Sequence, residues 1–265
     1  MVWSESMMRG RNSRAPIVES MGRFRIMATS PIKAVFLDAG NTLFTENKLR
    51  SAIYADIAGE FGGITSPSLS KEAMSATYAS LPQSIDGCFR FSLDWFRFFN
   101  AEVYEALGIS AEKQEDAHQR TVEVFEDPNT YHLFEEVPEV LLALKELGLQ
   151  IGIISNWSER LPELCAGLGI ADQVDFITAS AEIRSEKPDG PIYARALFRA
   201  GIPAEEAVHA GDRMDRDVRG ALKAGLRAAF LDRSREYDKT REGIPVIHNL
   251  SELLPLIQSV ACATS

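Results

Sequence analysis

Cysteine is scarce. The 265 residues hold three, Cys88, Cys165 and Cys262, odd in number and far apart. That excludes a disulfide framework and a cysteine-based zinc site, and it fits a reducing, cytoplasmic setting. Long apolar runs are also missing. None approaches the ~18 residues a bilayer span needs, and the longest candidate, residues 140–154, is interrupted by Lys145 and Glu146, so no membrane partner is expected. Basic charge is in short supply: 28 Lys and Arg stand against 38 Asp and Glu, for a formal net charge of −10. So acidic a chain is a poor complement to a phosphate backbone, and no nucleic-acid partner is expected. No internal repeat or low-complexity tract stands out. What is present, 45% hydrophobic and 25% charged residues, is the balance of a globular protein with enough chain for a sizeable core.

The acidity is uneven. Residues 1–30 carry five arginines (Arg9, Arg11, Arg14, Arg23, Arg25) against Glu5 and Glu19, a net +3 that leaves −13 on the remainder. Such an Arg-bearing, acid-poor leader reads either as an organelle-targeting segment or as an extension outside the fold, with Met21 and Met27 as alternative starts. It lacks the apolar core of a secretory signal.

From Pro31 onward, short apolar runs rich in β-branched residues recur at 34–37, 151–154, 176–178, 207–210 and 228–231. Few alternate strictly, which is the pattern of strands buried on both faces of a parallel sheet. Amphipathic stretches at 137–147, 191–200 and 215–224 lie between the later runs and end at Gly148, Gly201 and Gly225 as helix stops. Strand–helix–strand repetition with short joints predicts an α/β fold with a doubly wound, mainly parallel, Rossmann-like sheet. Ligands of such sheets sit beyond the carboxyl ends of the strands. The rhythm breaks once. After the first strand come about 90 residues without another, reading as helices over 49–61, 71–78, 93–107 and 111–125. The expected layout is an α/β core over 31–46 and 130–260, a helical insertion over 47–129, and a tail at 261–265. The insertion's aromatic cluster, Phe89, Phe91, Trp95, Phe96, Phe98 and Phe99, reads first as its core and second as a wall of a substrate pocket.

Chemistry-bearing residues gather at the strand ends. The first strand runs into Asp38-Ala39-Gly40-Asn41-Thr42-Leu43, the second ends at Ser155-Asn156, Lys187-Pro188 precedes the helix after the third, and the fourth ends in Gly211-Asp212-Arg213-Met214-Asp215-Arg216-Asp217. Taken singly, each has a plain account: Ser155 as a cap, Lys187 as a surface lysine, Asp212 and Asp217 as a solvated helix start. Together they suit phosphoryl transfer. A hard cation such as Mg²⁺ takes carboxylate oxygens and phosphate. Asp38, Asp212 and Asp217 can face one edge while Asp215 points elsewhere. Asp38 can attack phosphorus to give an aspartyl-phosphate, with Ser155 and Lys187 on the transferring oxygens. His209 reads as a packed strand residue, and His118, His132 and His248 show no ligand spacing.

In order and spacing these four stretches resemble the motifs of the haloacid dehalogenase-like hydrolase superfamily, over nearly all of residues 33–258. The resemblance implies a C1-type helical cap and Asp38 as nucleophile. It also implies that Ser155, with Asn156 beside it, and Lys187 bind phosphate. Asp212 would complete a Mg²⁺ site with Asp38 and the Gly40 backbone carbonyl, and Asp217 would support it. The implied substrate is a small phosphate ester. One position departs from the pattern. Phosphatases of the family read Asp-x-Asp in the first motif, the second Asp protonating the leaving group and then activating water; this chain has Gly40, which can move no proton. General acid–base help is worth roughly 10²–10⁴-fold. Three readings follow: a Mg²⁺-dependent phosphatase with weakened acid–base chemistry, a phosphate-binding or interaction module without turnover, and a metal-independent 2-haloacid dehalogenase.

Overall fold

Along the strand Ala34–Leu37, Val35 and Leu37 join one apolar cluster and Ala34 and Phe36 join another, and all four are fully buried. A strand covered on both faces must lie at the centre of a sheet. The computed structural model, which describes residues 30–262, puts it there. It pairs in parallel with Gln150–Ser155 on one side and Ala207–Gly211 on the other. The seven strands run in the order Thr240–Arg241, Ile244–Ile247, Arg227–Leu231, Ala207–Gly211, Ala34–Leu37, Gln150–Ser155, Phe176–Ala179. Every pairing is parallel except that of Thr240–Arg241, an antiparallel strand at one edge. The fold is the expected α/β, Rossmann-like one. The leader at residues 1–30, apart from Ser30, and tail residues 263–265 lie outside the described residues.

Helices Val137–Glu146, Leu161–Gly167 and Leu253–Cys262 cover one face, and Gly190–Ala200 with Arg219–Lys223 the other. Gly148, Gly201 and Gly225 follow their helices with φ of 72°, 65° and 87°, the left-handed stop that a glycine supplies without a Cβ clash. The helix expected at 215–224 forms differently. Residues Met214–Val218 make a wide π-helical turn, in which the amides of both Asp217 and Val218 donate to Arg213 O, before Arg219–Lys223 continues as α-helix. The Asp217 carboxylate folds back onto this turn, its Oδ2 accepting from Arg213 N. The strand Ile244–Ile247 and the helices Leu161–Gly167 and Leu253–Cys262 were not foreseen from the sequence.

Four helices, Arg50–Glu60, Pro67–Ser80, Leu93–Ala106 and Ala111–Glu126, and a small hairpin (Ser84–Ile85 with Cys88–Phe89) follow the first strand. Ser66 and Ser92 cap two of the helices by accepting from Leu69 N and Trp95 N. The group has its own apolar core around Trp95, Tyr104, Phe99, Ile57 and Leu107. The two segments that leave and re-enter the sheet pair with each other, Phe44–Glu46 antiparallel to Tyr131–Leu133. Among the described residues no helix is long and apolar enough to cross a membrane.

Candidate active site

Register brings the site together. Asp38 N donates to Ala210 O, so the residue after the first strand sits level with the end of Ala207–Gly211, and Leu37 lies opposite Ile153, two residues short of Ser155. Three adjacent parallel strands therefore deliver Asp38, Ser155 and Asp212 to one edge. The loop after Ser180–Ile183 adds Lys187 from the neighbouring strand's connection.

Lys187 is not a surface lysine: it is 3% exposed. Its Nζ donates to Asp38 Oδ1 at 2.5 Å, to Asp217 Oδ1 at 2.5 Å and to Ile154 O at 2.8 Å, which uses all three of its protons. Ser155 Oγ donates to the same Asp38 oxygen at 3.0 Å, so the cap reading fails as well. Asn156, expected to touch phosphate, has another task. Its Oδ1 accepts from Lys187 N at 2.7 Å and its Nδ2 donates to Lys187 O at 3.0 Å, clamping the lysine's backbone so that the ammonium reaches Asp38.

Asp217 is 1% exposed and fully engaged. Oδ1 accepts from Lys187 and lies 3.2 Å from His209 Nε2, and Oδ2 accepts from Arg213 N at 2.9 Å. Burial pushes its carboxyl up, but the Lys187 ammonium and His209 outweigh that and hold it well below the usual range. Gly211 makes room for it: a Cβ there would lie 2.4 Å from Asp217 Cγ. Gly211→Ala is therefore expected to cost about 1–3 kcal/mol by overpacking, measured by chemical denaturation against wild type.

The other two carboxyls go the opposite way. Burial, with Asp217 adding to it, raises Asp38 above its ordinary value despite Lys187. Burial, then Asp38 and Asp217, pushes Asp212 up to about 7. Neither Asp212 nor Asp38 Oδ2 takes a hydrogen bond among the described residues, in contrast to Asp217. One oxygen from each of the three carboxylates can lie within 4.8 Å of the others. Three acids facing one ammonium leave an excess of negative charge in a partly desolvated place, and an all-oxygen donor set of this kind fits a hard divalent cation such as Mg²⁺. Asp215 points away, paired with Arg213 on the exposed side.

The acids open into a cleft of about 480 Å³ whose walls include Gly40, Asn41, Arg50, Phe91, Trp157 and Arg216, a size suited to small molecules. The helical group reaches across it to the sheet side. Arg90 and Gln83 bond Glu186, next to Lys187, and Arg216 reaches Tyr78. The aromatic cluster divides between the two readings: Trp95, Phe99 and Phe89 are core, while Phe91 and Phe96 face cavities. His209 is more than a packed strand residue: two residues before Gly211 and on the same strand face, it lies against Asp217. Trp157, just after Ser155-Asn156, also belongs to the site, its Cζ3 3.2 Å from where a Cβ on Gly40 would lie.

A parallel α/β sheet with a carboxylate at a strand tip, a buried lysine and an acidic cluster at its carboxyl edge has the layout of a Rossmann-like enzyme. Residues 32–225 match the model of the haloacid dehalogenase-like hydrolases. The chain belongs to that family. It is 30% identical over 243 residues to a glyceraldehyde 3-phosphate phosphatase of Methanopyrus kandleri, covering 87% of this chain and 99% of that one. It is 27% identical over 228 residues to the haloacid dehalogenase-like hydrolase domain-containing protein 3 of Danio rerio, covering 84% and 94%. Among solved structures, a 2-haloacid dehalogenase of Pseudomonas syringae superposes with a TM-score of 0.63 at 25% identity, covering 86% of this chain and 98% of that one.

Proposed function

We propose that this hydrolase is a Mg²⁺-dependent phosphatase of small phosphate monoesters that works through an aspartyl-phosphate on Asp38. The observation that carries the reading is the convergence of Lys187 Nζ and Ser155 Oγ on one oxygen of Asp38, beside the unpaired carboxyl of Asp212, at the floor of an open cleft. Lys187 and Ser155 orient Asp38 so that its other oxygen faces the incoming phosphorus; each would shift the donor it now spends on Asp38 to a phosphoryl oxygen as charge grows there. Asp217 acts through Lys187 and the Arg213 turn, and Asn156 acts through the Lys187 backbone. Asp38, Asp212 and the Gly40 carbonyl, with Asp217 behind them, would hold Mg²⁺, which when bound neutralises the acids that would otherwise repel a phosphate. Water then cleaves the aspartyl-phosphate and restores the carboxylate. Residues 47–129 serve as a cap over the core of 31–46 and 130–260, lending Arg50 and Phe91 to the wall of the cleft.

The test is release of inorganic phosphate from a panel of phosphomonoesters, with Mg²⁺ and with a chelator. Metal-dependent release supports the reading. Gly40 favours one alternative, a phosphate-binding module without turnover: if no substrate releases phosphate while Mg²⁺ with beryllofluoride still raises Tm, that module is the better description. Halide release from 2-chloropropionate without metal would instead mark a dehalogenase.

A further inference from the structure

Beside the reaction cleft lies a second cavity of about 120 Å³, beneath the helical group, and the two share Arg50, Phe91, Asn156 and Trp157 as walls. Its lining is aromatic and aliphatic: Phe91, Phe96, Val122, Phe125, Tyr131 and Trp157. Its polar wall groups already have partners, Glu126 in Arg160 and Ser158 Oγ in the Arg160 amide among them. Tyr54 OH donates to Asn100 Oδ1, Asn100 Nδ2 lies 2.9 Å from His118 Nδ1, Thr121 Oγ1 donates to Ala117 O, Tyr131 OH donates to Phe125 O, and Arg50 pairs with Glu46. An occupant finds mostly ring faces and few free polar partners, which favours an apolar group. A cavity of ~150 Å³ with comparable walls in another protein holds benzene, so this one suits a single ring. Phe91, at the junction of the two cavities, is held at φ 73°; a bulky residue there is an outlier that the surrounding structure must impose.

The same wall bears on Gly40. Trp157 packs edge-on against Phe44 at 5.6 Å and stands 3.2 Å from where a Cβ on Gly40 would be. A site with no acid at that position can still expel a leaving group that needs no proton. A phenolate qualifies, with a conjugate-acid pKa of about 10, whereas an alkoxide lies nearer that of water, about 16.

We infer that the substrates are aryl phosphate monoesters, the ring entering the Phe91–Phe96–Trp157 cavity while the phosphate sits at Asp38. This deepens the phosphatase reading and rests on it. In the step, an Asp38 oxygen bonds to phosphorus as the bond from phosphorus to the phenolic oxygen breaks. The electron pair leaves on that oxygen, which takes its proton from water after departure. Water's oxygen then bonds to phosphorus, the bond to Asp38 breaks, and the water proton passes to solvent.

Four substrates separate the two ideas: phenyl phosphate (ring, weakly basic leaving group), cyclohexyl phosphate (ring-sized, strongly basic), acetyl phosphate (no ring, weakly basic) and ethyl phosphate (neither). With the full chain and Mg²⁺, kcat/KM for phenyl phosphate is expected to exceed that for ethyl and cyclohexyl phosphate by at least ~10²-fold, the low end of what an absent acid costs. Val122→Phe, which fills the cavity, is expected to lower the phenyl-to-acetyl kcat/KM ratio at least tenfold; a variant that is merely unstable lowers both and leaves the ratio alone. Phe96→Ala, which enlarges the cavity, is expected to raise the 1-naphthyl-to-phenyl phosphate ratio. If acetyl phosphate turns over but phenyl phosphate does no better than ethyl, or neither variant moves its ratio, the aryl assignment is overturned and the phosphatase reading stands. If none of the four turns over, both are overturned.

Discussion

Asp38→Asn is expected to lower kcat for phosphate release by about 10⁴–10⁶-fold, the scale on which removal of a covalent nucleophile acts elsewhere, while making the metal-free fold more stable at pH 8. The two halves have one origin. Asparagine keeps an oxygen to accept from Lys187 and Ser155, where Asp38 now accepts at 2.5 and 3.0 Å, but it cannot form an acyl phosphate. It also removes one of three acids, two of them buried, that face a single ammonium. Burial, reinforced by Asp217, raises the folded-state pKa of Asp38. A carboxyl shifted in that direction favours folding below its unfolded pKa, about 3.9, and loses that contribution as pH rises through the folded value. The variant's Tm advantage in chelator should therefore be small at acid pH and grow towards pH 8. Added Mg²⁺ should then narrow it, because a cation that binds the native carboxylates stabilises wild type more. Thermal melts at several pH values, with and without metal, check this. A variant less stable than wild type at pH 8 in chelator would sink the charge argument.

What the sequence told, and what it withheld, follows from the range of each interaction. Buried parallel strands leave contiguous apolar runs, so Ala34–Leu37, Ala207–Gly211 and Arg227–Leu231 were legible to within a residue, and with them the edge to which Asp38, Ser155 and Asp212 belong. The strand Ile244–Ile247 was not: four residues containing Pro245 carry too little pattern. The roles of side chains at the edge were harder, because they are set by partners distant in the chain. Asn156 looks like a ligand-binding amide until Lys187, 31 residues away, claims both its ends. His209 looks like core until the turn at Met214–Val218 brings Asp217 back onto it. The cavity that receives the ring is assembled from segments as far apart as Phe91 and Trp157, and nothing local marks it.

Gly40→Asp is expected to raise phosphatase activity, and by different amounts in different parameters. Gly40 is not among the glycines with positive φ, so an aspartate can take its backbone conformation. Its Cβ would meet Trp157 Cζ3 at 3.2 Å, close enough that the indole must yield by a few tenths of an ångström. Where the indole holds its position, pairing the change with Trp157→Phe removes the contact. The new carboxyl would do two things: protonate a departing oxygen, then take a proton from the water that attacks the aspartyl-phosphate. kcat/KM reports steps up to loss of the leaving group, so it should rise by roughly 10²–10⁴-fold for ethyl phosphate, whose alkoxide needs a proton. For phenyl phosphate it should change little. kcat includes hydrolysis of the intermediate, which no residue at position 40 assists in wild type, so kcat should rise for both substrates. Wild type should accordingly show a burst of phenol followed by a slower steady state, and Gly40→Asp should shrink that burst. A gain in kcat/KM of equal size for both substrates would mean that leaving-group protonation is not what Gly40 lacks, and the absence of any gain in the double variant would mean that another group already moves the proton.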